Sequence, residues 1–332
     1  SIAIVGSGAV GGYYGARLWE AGYLVKFQMR GDHYKKCKED GLNVKSVYGD
    51  IIIPAGEIEV FEDTKDMGQV DWVIVALKSS SLDAIPDLIY PLLHQGTRVL
   101  NIMNGLIEED VLKGLNRKDG KAEEDKSLTC CSAIYGGMAL LCSNRVGPGH
   151  IDHSYAGLLT GGVAKAAEGV TAEQNREAFV ALWEPTKVEI KYEEVLLRGR
   201  WVKNVWNLPF NGISVAMNGI TIDVVVNDPG LRRLADIVMN ETIAIANTDL
   251  ANSGYDSSHF LGDAEKKTMM DLSDAMGPYK TSTMLDLTNR RPMEVQYLFR
   301  KPLERAERLG VSSPHLQTLV YQIEALQKMH GL

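Results

Sequence analysis

The chain has 332 residues, of which 45% are hydrophobic and 23% charged, values that allow a sizeable core in about two globular domains. Its formal net charge is −8 and no basic block occurs, which argues against a nucleic-acid partner because phosphate neutralisation needs clustered Lys and Arg. No apolar run approaches the roughly 20 residues of a membrane helix, which argues against a membrane protein.

The first half of the chain alternates short β-branched runs with segments of helical spacing. Strands are predicted at Ile2–Val5, Leu24–Met29, Leu42–Ser46, Ile51–Pro54, Ile58–Phe61, Trp72–Leu77 and Val99–Ile102. Helices are predicted at Ala9–Ala21 and Leu82–Leu93. This βαβ order predicts an α/β fold with a doubly wound parallel sheet.

The pattern of predicted elements changes near residue 192, from mixed strands and helices to helices alone. Before it we expect strands and turns over 127–162, a helix at Thr171–Trp183 and a last strand at Lys187–Tyr192. After it, helices are predicted at Glu193–Ala216, Leu231–Ser253, Asp263–Met276, Met293–Leu309 and Pro314–His330. Two domains follow, residues 1–191 and an all-helical domain of residues 192–332.

The first βα turn carries a glycine-rich loop of the form G-x-G-x-x-G. Its residues are Gly6, Ser7, Gly8, Ala9, Val10 and Gly11, after the first strand and at the start of the first helix. In this context the three glycines allow a tight turn, close approach of a pyrophosphate to the backbone, and close packing of helix on strand. The helix N-terminus then offers N–H groups to the phosphates, so residues 1–191 are predicted to be a dinucleotide-binding Rossmann domain.

The second predicted strand ends in Arg30 rather than in an acidic residue. An acid at this place usually holds the ribose 2′-hydroxyl of NAD, whereas an arginine can hold the 2′-phosphate of NADP through two charge-assisted hydrogen bonds. Lys78, just after the strand that starts at Trp72, is a second cation at the same sheet edge. Asp32, two residues after Arg30, is an alternative candidate for the acid that holds the 2′-hydroxyl of NAD. The two cations together nevertheless favour NADP(H).

Three polar residues stand four apart at the start of the helical domain. Lys203, Asn207 and Asn211 share one helix face, because each step of four residues drifts by only about 40°. Their neighbours are mostly apolar, which favours a polar cleft over a solvent-facing stripe. Further along, Ser282 and the run Arg291-Pro292-Met293-Glu294 indicate little beyond helix and loop when taken alone.

Taken together, these residues resemble the ketopantoate reductase (2-dehydropantoate 2-reductase) family. The blocks that carry the resemblance are Gly6–Gly11 with Gly15, Leu77-Lys78, Asn104-Gly105, Lys203-x3-Asn207-x3-Asn211, and Ser282 with Arg291–Glu294. They span nearly the whole chain. The resemblance implies a Rossmann domain followed by a helical domain like that of 6-phosphogluconate dehydrogenase, and NADPH-dependent reduction of a small 2-keto acid.

The resemblance also implies a role for each matching residue. Lys203 corresponds to a proton donor to the keto oxygen and Glu294 to an acidic catalytic residue. Asn104, Asn207, Asn211 and Ser282 correspond to substrate contacts, and Asn104 also to a nicotinamide contact. Arg30 and Lys78 correspond to contacts with the 2′-phosphate.

Two features depart from the pattern of the pantothenate pathway. Asn211 is followed by Gly212 where that pattern has proline, and residues 116–126 read as a charged insertion. Ketopantoate is therefore the first expected substrate, and the alternative is a D-2-hydroxy-acid dehydrogenase of the same family. A non-catalytic NADP-binding sensor is the alternative outside enzymes, and it would have no need of Lys203 and Glu294.

The sequence also bears on metal binding, cellular location and oligomeric state. The four cysteines and seven histidines lack metal-ligand spacing, so we expect reduced thiols and no metal. No signal peptide is apparent before the first strand, and the expected location is the cytoplasm. The sequence leaves the oligomeric state open, with a homodimer as one option.

Overall fold

The computed structural model describes all residues, 1–332. By its internal contacts the chain forms two units, one of residues 1–103 and 107–196 and the other of residues 104–106 and 197–332. None of its helices is both long and apolar enough to cross a membrane.

The first unit is built on one ten-stranded sheet. Its strands are β1 (Ile2–Val5), β2 (Val25–Gln28), β3 (Leu42–Ser46), β4 (Ile51–Ile53), β5 (Glu59–Phe61), β6 (Trp72–Val75), β7 (Arg98–Asn101), β8 (Ala133–Gly147), β9 (His150–Ala166) and β10 (Ile190–Tyr192). Its helices are α1 (Ala9–Glu20), α2 (Gly31–Asp40), α3 (Ile85–Ile89), α4 (Glu108–Lys118) and α5 (Ala172–Trp183).

Six neighbouring strands form a parallel core in the order β5-β2-β1-β6-β7-β8. This is the 3-2-1-4-5-6 order of the Rossmann fold, and the predicted fold class is confirmed. The strand order reverses between β1 and β6, which places the switch point of the sheet at their carboxyl ends. Both strands are buried along their whole length, as expected for strands covered on two faces.

The other end of the sheet is mixed rather than purely parallel. β8 and β9 form a long antiparallel hairpin whose turn contains Pro148 and Gly149, and β9 pairs in parallel with β3 and β10. β4 closes this end in antiparallel pairing with β3. Gly149 in this turn adopts a positive φ of 74°, a conformation that glycine takes readily.

Two helices of the first unit lack a clear sequence signal. α2 and α4 are rich in charged residues, and only a few of their side chains are buried, so they contain few of the apolar residues on which the prediction of a helix depends. The helix predicted at Leu82–Leu93 is broken into a 3-10 turn, α3 and a second 3-10 turn, with Pro86 and Pro91 in the two last pieces. Proline removes backbone donors, which limits each piece to a few residues.

The charged segment 116–126 is folded back on itself. Residues 116–118 end α4, and the Asn116 side chain is buried and donates a hydrogen bond to the backbone carbonyl of Asp125. Lys121 adds a hydrogen bond to the Ser127 hydroxyl at 3.0 Å. The segment therefore consists of the last residues of α4 and a turn that folds back on its end.

The second unit is helical, as predicted. Its helices are α6 (Leu196–Ala216), α7 (Ile222–Asn227), α8 (Pro229–Asn252), α9 (Asp263–Ala275), α10 (Ser282–Thr288), α11 (Lys301–Leu309) and α12 (Pro314–Met329), with a π-helical turn over 296–300 before α11. Asp228 caps α8 by accepting a hydrogen bond from the Leu231 N–H at 2.8 Å, and Gly310 ends α11 in the left-handed region. Ser313 stands at the N-cap of α12 but makes no side-chain cap bond.

Candidate functional site

The glycine loop after β1 is shaped by close contacts at two of its glycines. Gly6 has φ of 90°, and a Cβ there would lie 2.6 Å from the Leu77 side chain. A Cβ on Gly11 would lie 2.3 Å from the carbonyl oxygen of Gly6. Both positions therefore require glycine for the tight turn and for the close approach of α1 to β1.

Gly8 differs because its missing side chain leaves open space. A Cβ on Gly8 would meet no heavy atom within 4 Å, and no acidic residue occupies the first turn of α1. The first backbone N–H groups of a helix have no partner within the helix and carry the positive end of its dipole. This open, uncharged helix N-terminus fits the pyrophosphate of a dinucleotide.

Residues of β2 and α2 form hydrogen bonds with the backbone of the glycine loop. The N–H of Gly6 donates to the Gln28 side chain at 3.2 Å, and the N–H of Ser7 donates to the Gln28 carbonyl at 3.1 Å. The His33 ring contacts the Ser7 carbonyl, with 2.8 Å between Nε2 and the oxygen. The sequence did not single out Gln28 or His33; the one available signal was a glutamine in an otherwise apolar strand.

The two candidate cations lie at the edge of the sheet that carries the glycine loop. Arg30 follows β2 and stands at the N-cap of α2, and Lys78 follows β6 and precedes a 3-10 turn. Since β6, β1 and β2 are adjacent parallel strands, their carboxyl ends share one edge. Both side chains are exposed, as is that of Asp32 in the first turn of α2.

In the second unit, a chain of hydrogen bonds runs along the predicted stripe on α6. The Thr283 hydroxyl donates to Oδ1 of Asn211 at 3.1 Å, and Nδ2 of Asn211 donates to Oδ1 of Asn207 at 3.1 Å. Asn207 and Asn211 are 5% and 2% exposed. These two hydrogen bonds fix the orientation of both amides. Nδ2 of Asn207 is thus the donor group at the end of the chain of hydrogen bonds.

Ser282 and Thr283 take different places at the start of α10. Thr281 caps this helix by accepting from the Met284 N–H at 3.3 Å, Ser282 follows as an exposed residue, and Thr283 is buried against Asn211. The structure therefore joins Asn211 to Thr283, which the sequence did not single out. Ser282 lies beside that pair at an exposed position.

Lys203 has unusual electrostatics for a lysine. Desolvation and the nearby Arg200 guanidinium lower the pKa of Lys203 to about 8, and the Glu294 carboxylate opposes them. Arg200 itself is buried one turn earlier on α6. A lysine with a pKa near neutrality can lose and regain a proton within the ordinary pH range.

Asn104 and Glu294 are in direct contact. The segment 104–106 packs with the second unit, and Nδ2 of Asn104 lies 3.3 Å from Oε2 of Glu294. A Cβ on Gly105 would lie 2.5 Å from the Tyr297 carbonyl oxygen, so this approach requires glycine. Glu294 therefore contacts Asn104 directly, and its carboxylate charge also acts on Lys203.

Comparison with known proteins bears on the whole chain. Residues 2–165 match the family model "Ketopantoate reductase PanE/ApbA", and residues 195–327 match "Ketopantoate reductase PanE/ApbA C terminal". The chain belongs to the ketopantoate reductase family. A 2-dehydropantoate 2-reductase of Nostoc sp. is 34% identical over 98% of this chain and 94% of its own length.

Solved structures of related proteins agree in fold. A ketopantoate reductase family structure, 2-dehydropantoate 2-reductase from Geobacter metallireducens, is 33% identical with a TM-score of 0.83 and covers 98% of this chain and 99% of its own. A D-mandelate dehydrogenase solved with NADH and anilino(oxo)acetate has a TM-score of 0.81 at 19% identity over 100% of this chain and 99% of its own, a likeness of fold alone. The chain is an enzyme of an oxidoreductase family.

Proposed function

We propose that this protein reduces a small 2-keto acid to a 2-hydroxy acid with NADPH, and that the substrate is 2-dehydropantoate (ketopantoate), reduced to pantoate for pantothenate biosynthesis in the cytoplasm. The observation that carries the proposal is the ammonium of Lys203, with its lowered pKa, beside Glu294 and on the helix that bears Asn207. Residues 1–191 serve the dinucleotide and residues 192–332 serve the substrate.

The cofactor is held by residues of the first unit. Gly6, Ser7, Gly8, Ala9, Val10 and Gly11 offer the pyrophosphate a helix N-terminus with open space at Gly8. Arg30 and Lys78 supply positive charge to a 2′-phosphate, which favours NADP(H) over NAD(H). When bound, the cofactor supplies the hydride that reduces the keto carbon.

Lys203 completes the reduction at the oxygen. Its ammonium stabilises the negative charge that grows on the keto oxygen and transfers a proton to it, and the neutral amine left behind regains a proton from solvent. Glu294 favours the charged form of Lys203 and orients Asn104 through their hydrogen bond. A pKa of about 8 leaves Lys203 mostly protonated at pH 7 and makes it a better acid than an ordinary lysine.

The amides and Ser282 position the substrate. Asn207 donates through Nδ2, while Asn211 is engaged by Thr283 and Asn207 and acts mainly by fixing the orientation of Asn207. Ser282, exposed at the start of α10, is the proposed contact for the carboxylate, and Asn104 contacts both substrate and nicotinamide.

Gly212 stands where the pattern of the pantothenate pathway has proline. The packing of α6 offers a reason for this glycine that does not involve the substrate. A Cβ at this position would lie 2.5 Å from Cδ2 of Leu319 on α12, so any other residue would require the Leu319 side chain to shift. Glycine here is therefore consistent with close packing of α6 on α12. The fold likeness to a D-mandelate dehydrogenase keeps a second candidate, reduction of another 2-keto acid to a D-2-hydroxy acid.

A substrate panel tests the proposal. NADPH oxidation is followed with ketopantoate, benzoylformate and branched 2-keto acids, and the hydroxy acid formed is analysed for chirality. We expect the highest kcat/KM with ketopantoate and NADPH. A clear preference for benzoylformate would favour the D-2-hydroxy-acid dehydrogenase, and no turnover of any 2-keto acid with either reduced dinucleotide would overturn the proposed reaction.

A further inference from the structure

His33, on α2, bridges the glycine loop and the turn of the β8–β9 hairpin. We propose that His33 is a positioning residue for the dinucleotide, which fixes the orientation of the Ser7–Gly8 peptide so that the loop presents N–H groups rather than a carbonyl oxygen to the pyrophosphate. This role rests on the proposed binding of a dinucleotide by the glycine loop.

The two contacts of the ring define its protonation. The N–H of Gly149 donates to Nδ1 of His33 at 2.9 Å, and because a backbone N–H can only donate, Nδ1 carries no proton. In the neutral ring the proton is therefore on Nε2, which donates to the Ser7 carbonyl oxygen at 2.8 Å. The side chain is 4% exposed, and burial lowers the pKa of His33, which favours this neutral form.

The Ser7–Gly8 peptide needs such a contact because sterics do not fix it. Gly8 has no side chain, and a Cβ there would touch no atom within 4 Å. Glycine adopts backbone conformations that other residues avoid, so the hydrogen bonds of this peptide, rather than sterics at Gly8, hold its orientation. Its N–H is held by the Gly6 carbonyl at 2.8 Å, and its carbonyl oxygen is held by His33.

A carbonyl oxygen is the negative end of the peptide dipole and repels a phosphate. If the peptide rotates, this oxygen competes with the N–H groups of α1 for the position next to the pyrophosphate. The imidazole N–H prevents this by holding the oxygen toward α2. The expected consequence of its loss is weaker pyrophosphate binding, with the adenosine and 2′-phosphate contacts unchanged.

The experiment compares two ligands by isothermal titration calorimetry. NADPH contains the pyrophosphate, whereas adenosine 2′-monophosphate carries the 2′-phosphate without it. His33→Leu should raise the Kd of NADPH roughly tenfold or more and leave the Kd of adenosine 2′-monophosphate within about twofold. The KM for the keto acid at saturating NADPH should stay unchanged.

Conservative variants separate the two contacts of the ring. His33→Gln places an amide N–H near the position of Nε2 and should recover most of the NADPH affinity, whereas His33→Asn reaches only toward Gly149 and should not. This comparison also carries the test if His33→Leu fails to fold. Cys37→Ala is the matched control, since its sulfur lies on the same helix 3.8 Å from Nδ1 and takes no part in the proposed contact of Nε2 with Ser7.

The outcomes that overturn the role are distinct from failure of the proposed function. Equal weakening of both ligands in His33→Leu would show that His33 acts through α2 and Arg30 instead. Unchanged NADPH affinity, or better recovery by Asn than by Gln, would likewise reject the peptide-fixing role. Failure of the wild-type protein to bind NADPH would overturn the proposed cofactor itself.

Discussion

In the proposed reaction, the ammonium of Lys203 must stay charged at neutral pH and yet release a proton to the keto oxygen. An ordinary lysine meets the first demand better than the second. Desolvation and Arg200 lower the pKa of Lys203 to about 8, and Glu294 limits the decrease. The charge arrangement around α6 therefore adjusts this lysine toward proton donation.

A pH profile follows directly from this pKa. The proposed reduction needs the protonated lysine, so kcat/KM for the keto acid at saturating NADPH should fall about tenfold per pH unit above pH 8. Lys203→Arg keeps its charge at these pH values and should give a slower but flat profile over the same range. A wild-type profile that stays flat to pH 10 would show that Lys203 does not donate the proton.

Loss of the lysine should remove turnover without removing the fold. General acid catalysis and charge stabilisation each contribute about two orders of magnitude or more, so Lys203→Ala should lower kcat roughly 100-fold or more. The loss should appear in kcat more than in KM, because the growing charge is present mainly in the transition state. NADPH affinity and the melting temperature should change little, and a variant that simply unfolds would mark Lys203 as structural.

Arg30 is expected to decide between the two dinucleotides. Arg30→Ala should raise the Kd of NADPH roughly tenfold or more and leave that of NADH nearly unchanged, since only NADPH carries the 2′-phosphate. Lys35→Ala removes the same charge from an exposed position of α2 and serves as the control. Equal losses for NADPH and NADH in Arg30→Ala would exclude Arg30 as the discriminating residue.

Spacing along the chain predicted some of these residues and missed others. Lys203, Asn207 and Asn211 were predictable as one group because helical periodicity relates residues four apart. Thr283 was not, because its bond to Asn211 joins positions 72 residues apart in the chain. Gln28 and His33 were missed for the same reason, since their partners in the glycine loop are distant in sequence.

At the scale of elements, hydrophobic periodicity predicted those parts of the fold that bury a continuous apolar face. β1, β2, β6 and α1 belong to this class: β1 and β6 are buried at every residue, β2 at three of its four residues, and α1 over Gly11–Leu18. α2 was missed because only His33 and Cys37 of its ten residues are buried. Its buried contacts are the hydrogen bonds of His33 and the packing of Cys37 in the core.

The glycine loop allows a prediction in which stability and binding separate. Gly11→Ala places a Cβ 2.3 Å from the Gly6 carbonyl oxygen and should cost about 1–3 kcal/mol of folding free energy. Gly8→Ala meets no protein atom, so its melting temperature should stay close to that of the wild type while NADPH affinity falls. Thermal denaturation and NADPH titration of both variants check this. If Gly8→Ala binds NADPH normally, the open space at Gly8 is not where the pyrophosphate lies.

At the scale of the whole molecule, the proposed tasks divide between the two contact units. The glycine loop, Arg30 and Lys78 belong to the first unit, whereas Lys203, Asn207 and Glu294 belong to the second. Asn104 is the exception, because it follows β7 in the chain but groups with the second unit and contacts Glu294. Each set of residues is therefore expected to act on a different ligand.

This division predicts how variants combine. Asn207→Ala should raise KM for the keto acid roughly tenfold and leave the Kd of NADPH unchanged, since it removes one buried donor proposed to face only the substrate. At saturating NADPH, the double variant Arg30→Ala/Asn207→Ala should show the same KM as Asn207→Ala alone, because saturation removes the contribution of Arg30. Thr283→Val, which frees Asn211 from its hydroxyl partner, should raise KM by a smaller factor in the same direction. If Asn207→Ala instead weakens NADPH binding, the stripe on α6 serves the cofactor, and the proposed division of tasks between the two units is wrong.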